Sequence, residues 1–239
     1  MTGPIEAILF DFGGTLDADG VAWKERFYAH YRAEGLDTTS AAFESAFFAA
    51  DDPLVGGLPV ETDLRGTVRE LTTNLDAELV RHGAAVSEEG SGGRGRRVAS
   101  HFLTEASAAI ARNRPLLEAL RERYRLGIVS NFYGNLDAVC HGLGLAPLFA
   151  AIVDSQRVGA RKPDPAIFRA ALDPLCATPE TTLFVGDSLR RDREGARRIG
   201  MRFIWIAPPD VQASEARELG EPPDHSAVAR LGDLANILL

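Results

Sequence analysis

A chain of 239 residues, 45% hydrophobic and 25% charged, is long enough to bury a substantial core, as one domain with a large insertion or as two small domains. A net charge of −8 argues against a general nucleic-acid binder, because no excess of positive charge is available for a phosphate backbone. No apolar run approaches the ~20 residues that span a bilayer, and MTGPIEAILF lacks the charged and apolar regions of a signal peptide. A cytoplasmic protein is expected, with no membrane or nucleic-acid partner.

The first element is IEAILF (5–10), an apolar run of strand length that ends in Asp11 and passes through Phe12-Gly13-Gly14 to Thr15. An aspartate at a strand end followed by glycines can face a backbone-lined pocket suited to anions. A plain strand-to-turn junction with a solvated Asp fits these residues equally well.

Residues 18 to about 110 then read as helical: 23–35, 39–51, 64–83 and 96–110, with no convincing strand among them. Within this stretch SEEGSGGRGRR (87–97) is rich in Gly and charge and reads as a flexible loop. The aromatics Trp23, Phe27, Tyr28, Tyr31, Phe43, Phe47 and Phe48 could line a pocket, although their helical spacing is also that of core packing.

From there strands and helices alternate. The apolar runs 125–130, 151–154, 182–187 and 203–206 are separated or followed by helical patterns at 134–143, 165–172, 188–199 and 226–238. With 5–10 this predicts a doubly wound, mostly parallel five-stranded α/β sheet carrying a helical insertion after its first strand. Ligands of such sheets bind beyond the carboxyl ends of the strands, where Asp11, Ser130, Asp154 and Asp187 fall.

Three more segments at those ends carry chemistry. Ser130-Asn131 offers a hydroxyl and amides to phosphate oxygens, or ordinary turn chemistry. In RKPDPAIF (161–168), Lys162 precedes two prolines that stop a loop and start a helix, so its charge could be held rigidly at the sheet edge. In FVGDSLRRD (184–192), Asp187 ends a strand and Asp192 follows in the next helix; two carboxylates there suit a hard cation, and Asp187-Ser188 also suits a helix N-cap. Only Lys24 and Lys162 among the 26 basic residues are lysines, so lysine chemistry must use one of them. Cys140 and Cys176, both in helix-like contexts, read as reduced thiols without metal-site spacing.

Taken in order, DFGGT, VSN, RKPDP and VGDSLRRD resemble the four motifs of the haloacid dehalogenase-like (HAD) hydrolase superfamily. The resemblance covers residues 1–17 and about 110–210, and the helical insert stands where that family carries its cap. It implies a Rossmann-like core of residues 1–17 and 110–239 and a cap of residues 18–109. It implies a Mg²⁺-dependent phosphatase acting on a small phosphorylated metabolite, with Asp11 as the nucleophile that becomes an aspartyl phosphate. Asp11, the Gly13 carbonyl, Asp187 and Asp192 would serve the metal; Thr15, Ser130, Asn131 (through its backbone amide) and Lys162 would serve the phosphate.

One position departs from the family pattern. Most of its phosphatases carry a second Asp two residues after the nucleophile as general acid and base, and here Gly13 stands in that place. A substrate with a good leaving group, or a proton from the cap (Lys24, Tyr28 or His30) or from water, would accommodate the loss. Alternatives are a phosphonate C–P hydrolase using Lys24 as its cap lysine, or a non-catalytic phosphate-binding module. Dehalogenation also starts from an aspartate, but Asp187 and Asp192 argue against a metal-free site.

Overall fold

The computed structural model describes residues 3–83, 93–219 and 227–239. Its strands are β1 (Ala7–Phe10), β2 (Arg125–Ser130), β3 (Ala151–Asp154), β4 (Thr182–Gly186), β5 (Arg202–Ile206) and β6 (Ala227–Val228). They pair in parallel in the order β3-β2-β1-β4-β5-β6. The side chains of β1 alternate across the sheet: Ile8 and Phe10 join one buried cluster, Ala7 and Leu9 the cluster on the opposite face. Helices cover both faces, which is why the strands read as continuous apolar runs rather than alternating ones.

Among the described residues the sheet therefore has six strands, one more than the sequence predicts. Residues 226–238 were expected to form a helix because Val228, Leu231, Leu234 and Leu238 recur at helical spacing, and all four are buried. The backbone of Ala227 and Val228 instead pairs with Trp205 and Ile206, and the chain turns through Leu231–Leu234 before the single turn of α10 (Ala235–Leu238). Sheet pairing overrides the apparent period.

Between β1 and β2 lie α1 (Trp23–Ala33), α2 (Ser40–Asp51), α3 (Leu64–Arg81) and α4 (Gly93–Arg121). Two begin on side-chain caps read directly by the backbone: Thr39 accepts from Ala42 N at 3.2 Å and Asp63 from Gly66 N at 2.8 Å. The fourth helix is longer than predicted. It packs on α1 and α3 along its first half and continues past Pro115 to reach β2, so the boundary drawn at residue 110 falls inside it. Of the expected loop 87–97, residues 93–97 are its first turns and residues 87–92 lie outside the described residues. A single apolar cluster runs from Ile8 and Phe10 through Phe27, Tyr31, Phe43 and Phe102, tying this insert to the sheet.

After β2 come α5 (Leu136–Gly142), α6 (Ser155–Val158), α7 (Pro165–Leu172), α8 (Glu194–Arg198) and α9 (Pro209–Leu219). Asp164 caps α7 through Ala166 N at 2.9 Å, with Pro165 in its first turn. The expected helix 188–199 is present: it opens with a wide π turn over Leu189–Arg193 and runs directly into α8. Both thiols are free; Cys140 is buried in α5, whereas Cys176 lies exposed in the turn after α7 with φ 45°, not in a helix. Among the described residues no helix is long and apolar enough to cross a membrane.

Candidate active site

In the strand order 3-2-1-4-5-6 the connections reverse direction between β1 and β4, and a crevice opens at the carboxyl ends on that line. Asp11 follows β1 and Asp187 follows β4, so the reversal brings them side by side; Asp11 N donates to Val185 O at 2.9 Å. Ser130 ends the neighbouring β2. The residues predicted from four distant segments thus meet at one edge.

Asp11 is buried, and three donors converge on its Oδ1: Phe12 N at 2.8 Å, Ser130 Oγ at 2.7 Å and Lys162 Nζ at 2.7 Å. Burial alone would push its carboxyl up, but the Lys162 ammonium outweighs it and holds Asp11 below its ordinary range. The same ammonium reaches Asp192 Oδ1 at 2.7 Å and lies over the Phe184 ring. Burial opposes the lysine's charge; Asp11 and Asp192 overcome that and keep it firmly protonated.

Lys162 is placed by a side chain from the loop after β2. The Asn131 side chain clamps the lysine's backbone, with Oδ1 accepting from Lys162 N at 2.7 Å and Nδ2 donating to Lys162 O at 3.2 Å. Beside the backbone amide expected to serve the phosphate, Asn131 has a side-chain amide that joins the loop after β2 to the lysine loop.

Asp11, Asp187 and Asp192 each offer a carboxylate oxygen, and these lie within 4.8 Å of one another. Asp192 also accepts from Ser188 N at 3.0 Å through Oδ2. Its approach requires Gly186, since a Cβ there would stand 2.3 Å from that oxygen. Thr15 is fully buried and its Oγ1 donates to Asp187 Oδ1 at 3.4 Å, so this threonine faces a carboxylate. Burial, with Asp11 and Asp192 nearby, drives the Asp187 carboxyl well above its ordinary range. Three close carboxylates facing Lys162 and, less directly, Arg191 remain short of positive charge, and a hard divalent cation is the chemical complement of such a set. Ser188, by contrast, supplies the helix cap, accepting from Arg191 N at 3.2 Å.

Asp154 takes no part. Its carboxylate accepts from Gly134 N, Leu136 N and Gln156 N at 2.8, 3.1 and 2.9 Å and braces the loop after β2.

The turn Phe12–Leu16 depends on Gly14, whose φ is 91° and whose Cβ would meet Asp187 Oδ2 at 2.5 Å. Below it lies a carboxylate that the sequence did not single out. Asp17 is fully buried and accepts from Gly14 N at 2.7 Å, Trp23 Nε1 at 2.8 Å and Arg26 Nη1 at 2.9 Å. Its partners Trp23 and Arg26 lie 6 and 9 residues on in α1, a meeting that no local motif in the sequence marks.

That network fills the space beside Gly13. A Cβ on Gly13 would come within 3.1 Å of Trp23 Nε1 and 3.3 Å of its Cδ1, and the indole is itself packed on Phe27, Phe102 and Phe132. A Gly13→Asp variant is therefore expected to lose stability by about 1–3 kcal/mol, the range for overpacking, and to gain no turnover. Thermal unfolding and phosphate release on the same preparation check this. A variant as stable as the parent and faster would show that Trp23 yields.

Above the carboxylates is a cavity of about 420 Å³. Asp11, Ser130, Asn131 and Lys162 form its floor, and the insert contributes Trp23, Lys24, Phe47, Phe48 and Asp51. Of the aromatics noted in the sequence, Phe27, Tyr31 and Phe43 are instead fully buried core residues. Lys24 pairs with Glu44 at 2.8 Å and Glu25 at 3.3 Å. Partial burial would lower its pKa, but both carboxylates raise it, leaving the amine charged. His30 pairs with Glu105 and Tyr28 donates to Thr38 O, neither of them toward this cavity.

A family profile described as haloacid dehalogenase-like hydrolase matches residues 5–200. The chain belongs to this family. Within it, the chain is 37% identical over 110 residues to haloacid dehalogenase-like hydrolase domain-containing protein 3 of Mus musculus, covering 46% of this chain and 43% of that protein. It is 36% identical over 129 residues to the phosphoserine phosphatase of Thermus thermophilus, covering 52% and 47%. It is 38% identical over 82 residues to the glyceraldehyde 3-phosphate phosphatase of Methanopyrus kandleri, covering 34% and 35%. The chain thus matches less than half the length of each of these relatives. Among solved structures, a dehalogenase superposes with a TM-score of 0.62 at 18% identity over 100% of this chain and 99% of its own. The HAD-hydrolase YfnB from Bacillus subtilis, bound to magnesium, gives 0.56 at 20% identity over 99% of each chain. These two share the family fold.

Proposed function

We propose that this HAD-family hydrolase is a Mg²⁺-dependent phosphatase of a small phosphorylated metabolite, with Asp11 as its nucleophile. The observation that carries this reading is the double ion pair of one buried lysine. Lys162 Nζ stands 2.7 Å from both Asp11 and Asp192, beside a third carboxylate on Asp187. That arrangement keeps Asp11 ionised and sets a fixed positive charge where an incoming phosphoryl group would sit. Two of the relatives in the same family are phosphatases of small phosphorylated substrates, phosphoserine and glyceraldehyde 3-phosphate.

In this reading Asp11 attacks phosphorus and becomes an aspartyl phosphate, with Ser130 and Thr15 offering hydroxyls to the phosphoryl oxygens. Asn131 holds the lysine loop so that the ammonium stays on the reacting side. Asp11, Asp187 and the Gly13 carbonyl would hold Mg²⁺. Asp192, already engaged by Lys162 and Ser188, would orient it. The ion supplies the charge neutralisation that lets one anion approach another. The helical insert, residues 18–109, acts as the cap and supplies the upper wall of the cavity. The phosphonate reading loses ground because Lys24 is held charged by two glutamates, whereas Schiff-base chemistry needs a neutral amine.

Phosphate release from a broad panel of phosphate esters with Mg²⁺ tests the proposal, and no turnover on any of them would overturn it. Metal binding has its own readout. At a hundredfold excess over Kd, Mg²⁺ is expected to stabilise the folded chain by ~2.7 kcal/mol, raising Tm by roughly 5–10 °C for a chain of this size. In Asp187→Asn the metal-free protein is expected to be more stable than the parent, because a carboxylate repelled by two others is gone. Its Mg²⁺-induced rise in Tm should be lost. An equal rise in variant and parent would remove Asp187 from the metal site.

A further inference from the structure

We infer that Asp51, at the end of α2 in the insert, is the general acid and base of this site, held in place by Tyr133. The inference rests on the phosphatase reading above and deepens it. It begins with a vacancy in the chemistry. An ordinary ester needs a proton on its departing oxygen and a base for the water that follows. Gly13 supplies neither, and a Cβ there would stand 3.1 Å from Trp23 Nε1, so a side chain at that position would have to displace the indole.

The cavity narrows the choice. Apart from Asp11, the carboxylates that line it are Glu25, Asp51 and Asp52. Glu25 is paired with Lys24 and its side chain is 53% exposed, and Asp52 is exposed at the first position of the next turn. Asp51 is half-buried, and its Oδ1 accepts from the Tyr133 hydroxyl at 2.5 Å. Tyr133 is buried and sits three residues beyond Ser130, on the loop that carries the phosphate-facing hydroxyl. The same loop is bonded to the insert a second time, Gly56 N donating to Tyr133 O at 3.0 Å. Two bonds from the segment 51–56 thus fix Asp51 on the cavity wall relative to Ser130.

The electrostatics agree with that role. Burial raises the Asp51 carboxyl and Asp52 adds to the rise, against the lowering by the Tyr133 hydrogen bond and by Arg161 and Arg191. The net displacement is upward, toward holding a proton. Burial and the adjoining Asp51 push the Tyr133 phenol well above its ordinary range, so it remains a donor throughout.

The steps balance as follows. As an Asp11 oxygen bonds to phosphorus, the P–O ester bond breaks, its electron pair goes to the leaving oxygen, and that oxygen takes the proton of Asp51. In the second half, the Asp51 carboxylate takes a proton from water as the water oxygen bonds to phosphorus. The P–O bond to Asp11 breaks, which returns the Asp11 carboxylate, protonated Asp51 and free phosphate.

The test is the dependence on leaving group in Asp51→Asn, an isosteric change that can still accept from Tyr133. For alkyl phosphates, whose alkoxide needs a proton, kcat/KM is expected to fall ~10²–10⁴-fold. For p-nitrophenyl phosphate, whose phenolate leaves unaided, it should fall less than about tenfold. A burst of p-nitrophenol ahead of a slowed steady state should appear, because the aspartyl phosphate then lacks its base. Tyr133→Phe, which keeps the ring and removes the hold on Asp51, should show the same split between the two substrates at smaller size. An equal fall, or no fall, on both substrates in Asp51→Asn overturns the assignment while leaving the phosphatase reading intact. No turnover of either ester by the parent chain overturns both.

Discussion

Asp11→Asn is expected to abolish turnover, by on the order of 10⁴–10⁶-fold in kcat as for the loss of other covalent nucleophiles, in a protein that still folds. The amide cannot attack phosphorus. The fold survives because Lys162, which loses one counter-charge, keeps the other: Asp192 Oδ1 stands 2.7 Å from the same ammonium. An asparagine Oδ1 can also go on accepting from Ser130 Oγ and Phe12 N. Circular dichroism and thermal unfolding check the fold, and phosphate release with Mg²⁺ checks the chemistry. Full activity in this variant would refute covalent catalysis by Asp11.

The second large effect is expected at Lys162, and it falls on stability as well as rate. Lys162→Met preserves the apolar stem but leaves Asp11, Asp187 and Asp192 clustered without the cation between them. Breaking a buried ion pair from one side costs about 3–5 kcal/mol, or roughly 6–20 °C in Tm for a chain of this length. Mg²⁺ should recover part of that stability, since a divalent ion can neutralise the same carboxylates. Turnover should not recover: losing a fixed positive group aimed at the developing charge costs ~10²–10³-fold. Differential scanning fluorimetry with and without Mg²⁺, alongside kcat at saturating Mg²⁺, separates the two roles. A metal-free Tm equal to that of the parent would show that the lysine is not the counter-charge of the cluster.

What could be read in the sequence was what local pattern encodes. Strands buried on both faces are short apolar runs, so β1 to β5 were visible and their ends pointed to Asp11, Ser130 and Asp187. Lys162 was legible because two prolines follow it, and α7 begins where Pro165 predicts. Contacts between segments far apart in the chain were not legible. Asp51 meets Tyr133 across 82 positions, and Asn131 reaches Lys162 across 31. Asp17 was not singled out, because its partners Trp23 and Arg26 lie on a helix whose docking angle the sequence does not state. The meaning of Gly13 changed for the same reason. Read alone it is a missing acid; in the fold it is also a residue whose Cβ would crowd the Trp23 indole at 3.1 Å. At the C-terminus helical spacing misled, because a two-residue strand cannot show a period of its own.

The central claim is that Asp11 carries the phosphoryl group during turnover. It is tested most directly by quenching the enzyme during steady-state hydrolysis of a phosphate ester, reducing the quenched protein with borohydride, and mapping its peptides by mass spectrometry. An acyl phosphate at Asp11 is reduced to homoserine, so the peptide spanning residues 5–24 should carry that change at position 11 and only in samples quenched with substrate present. Unmodified Asp11 in enzyme quenched while it is turning over would contradict the account.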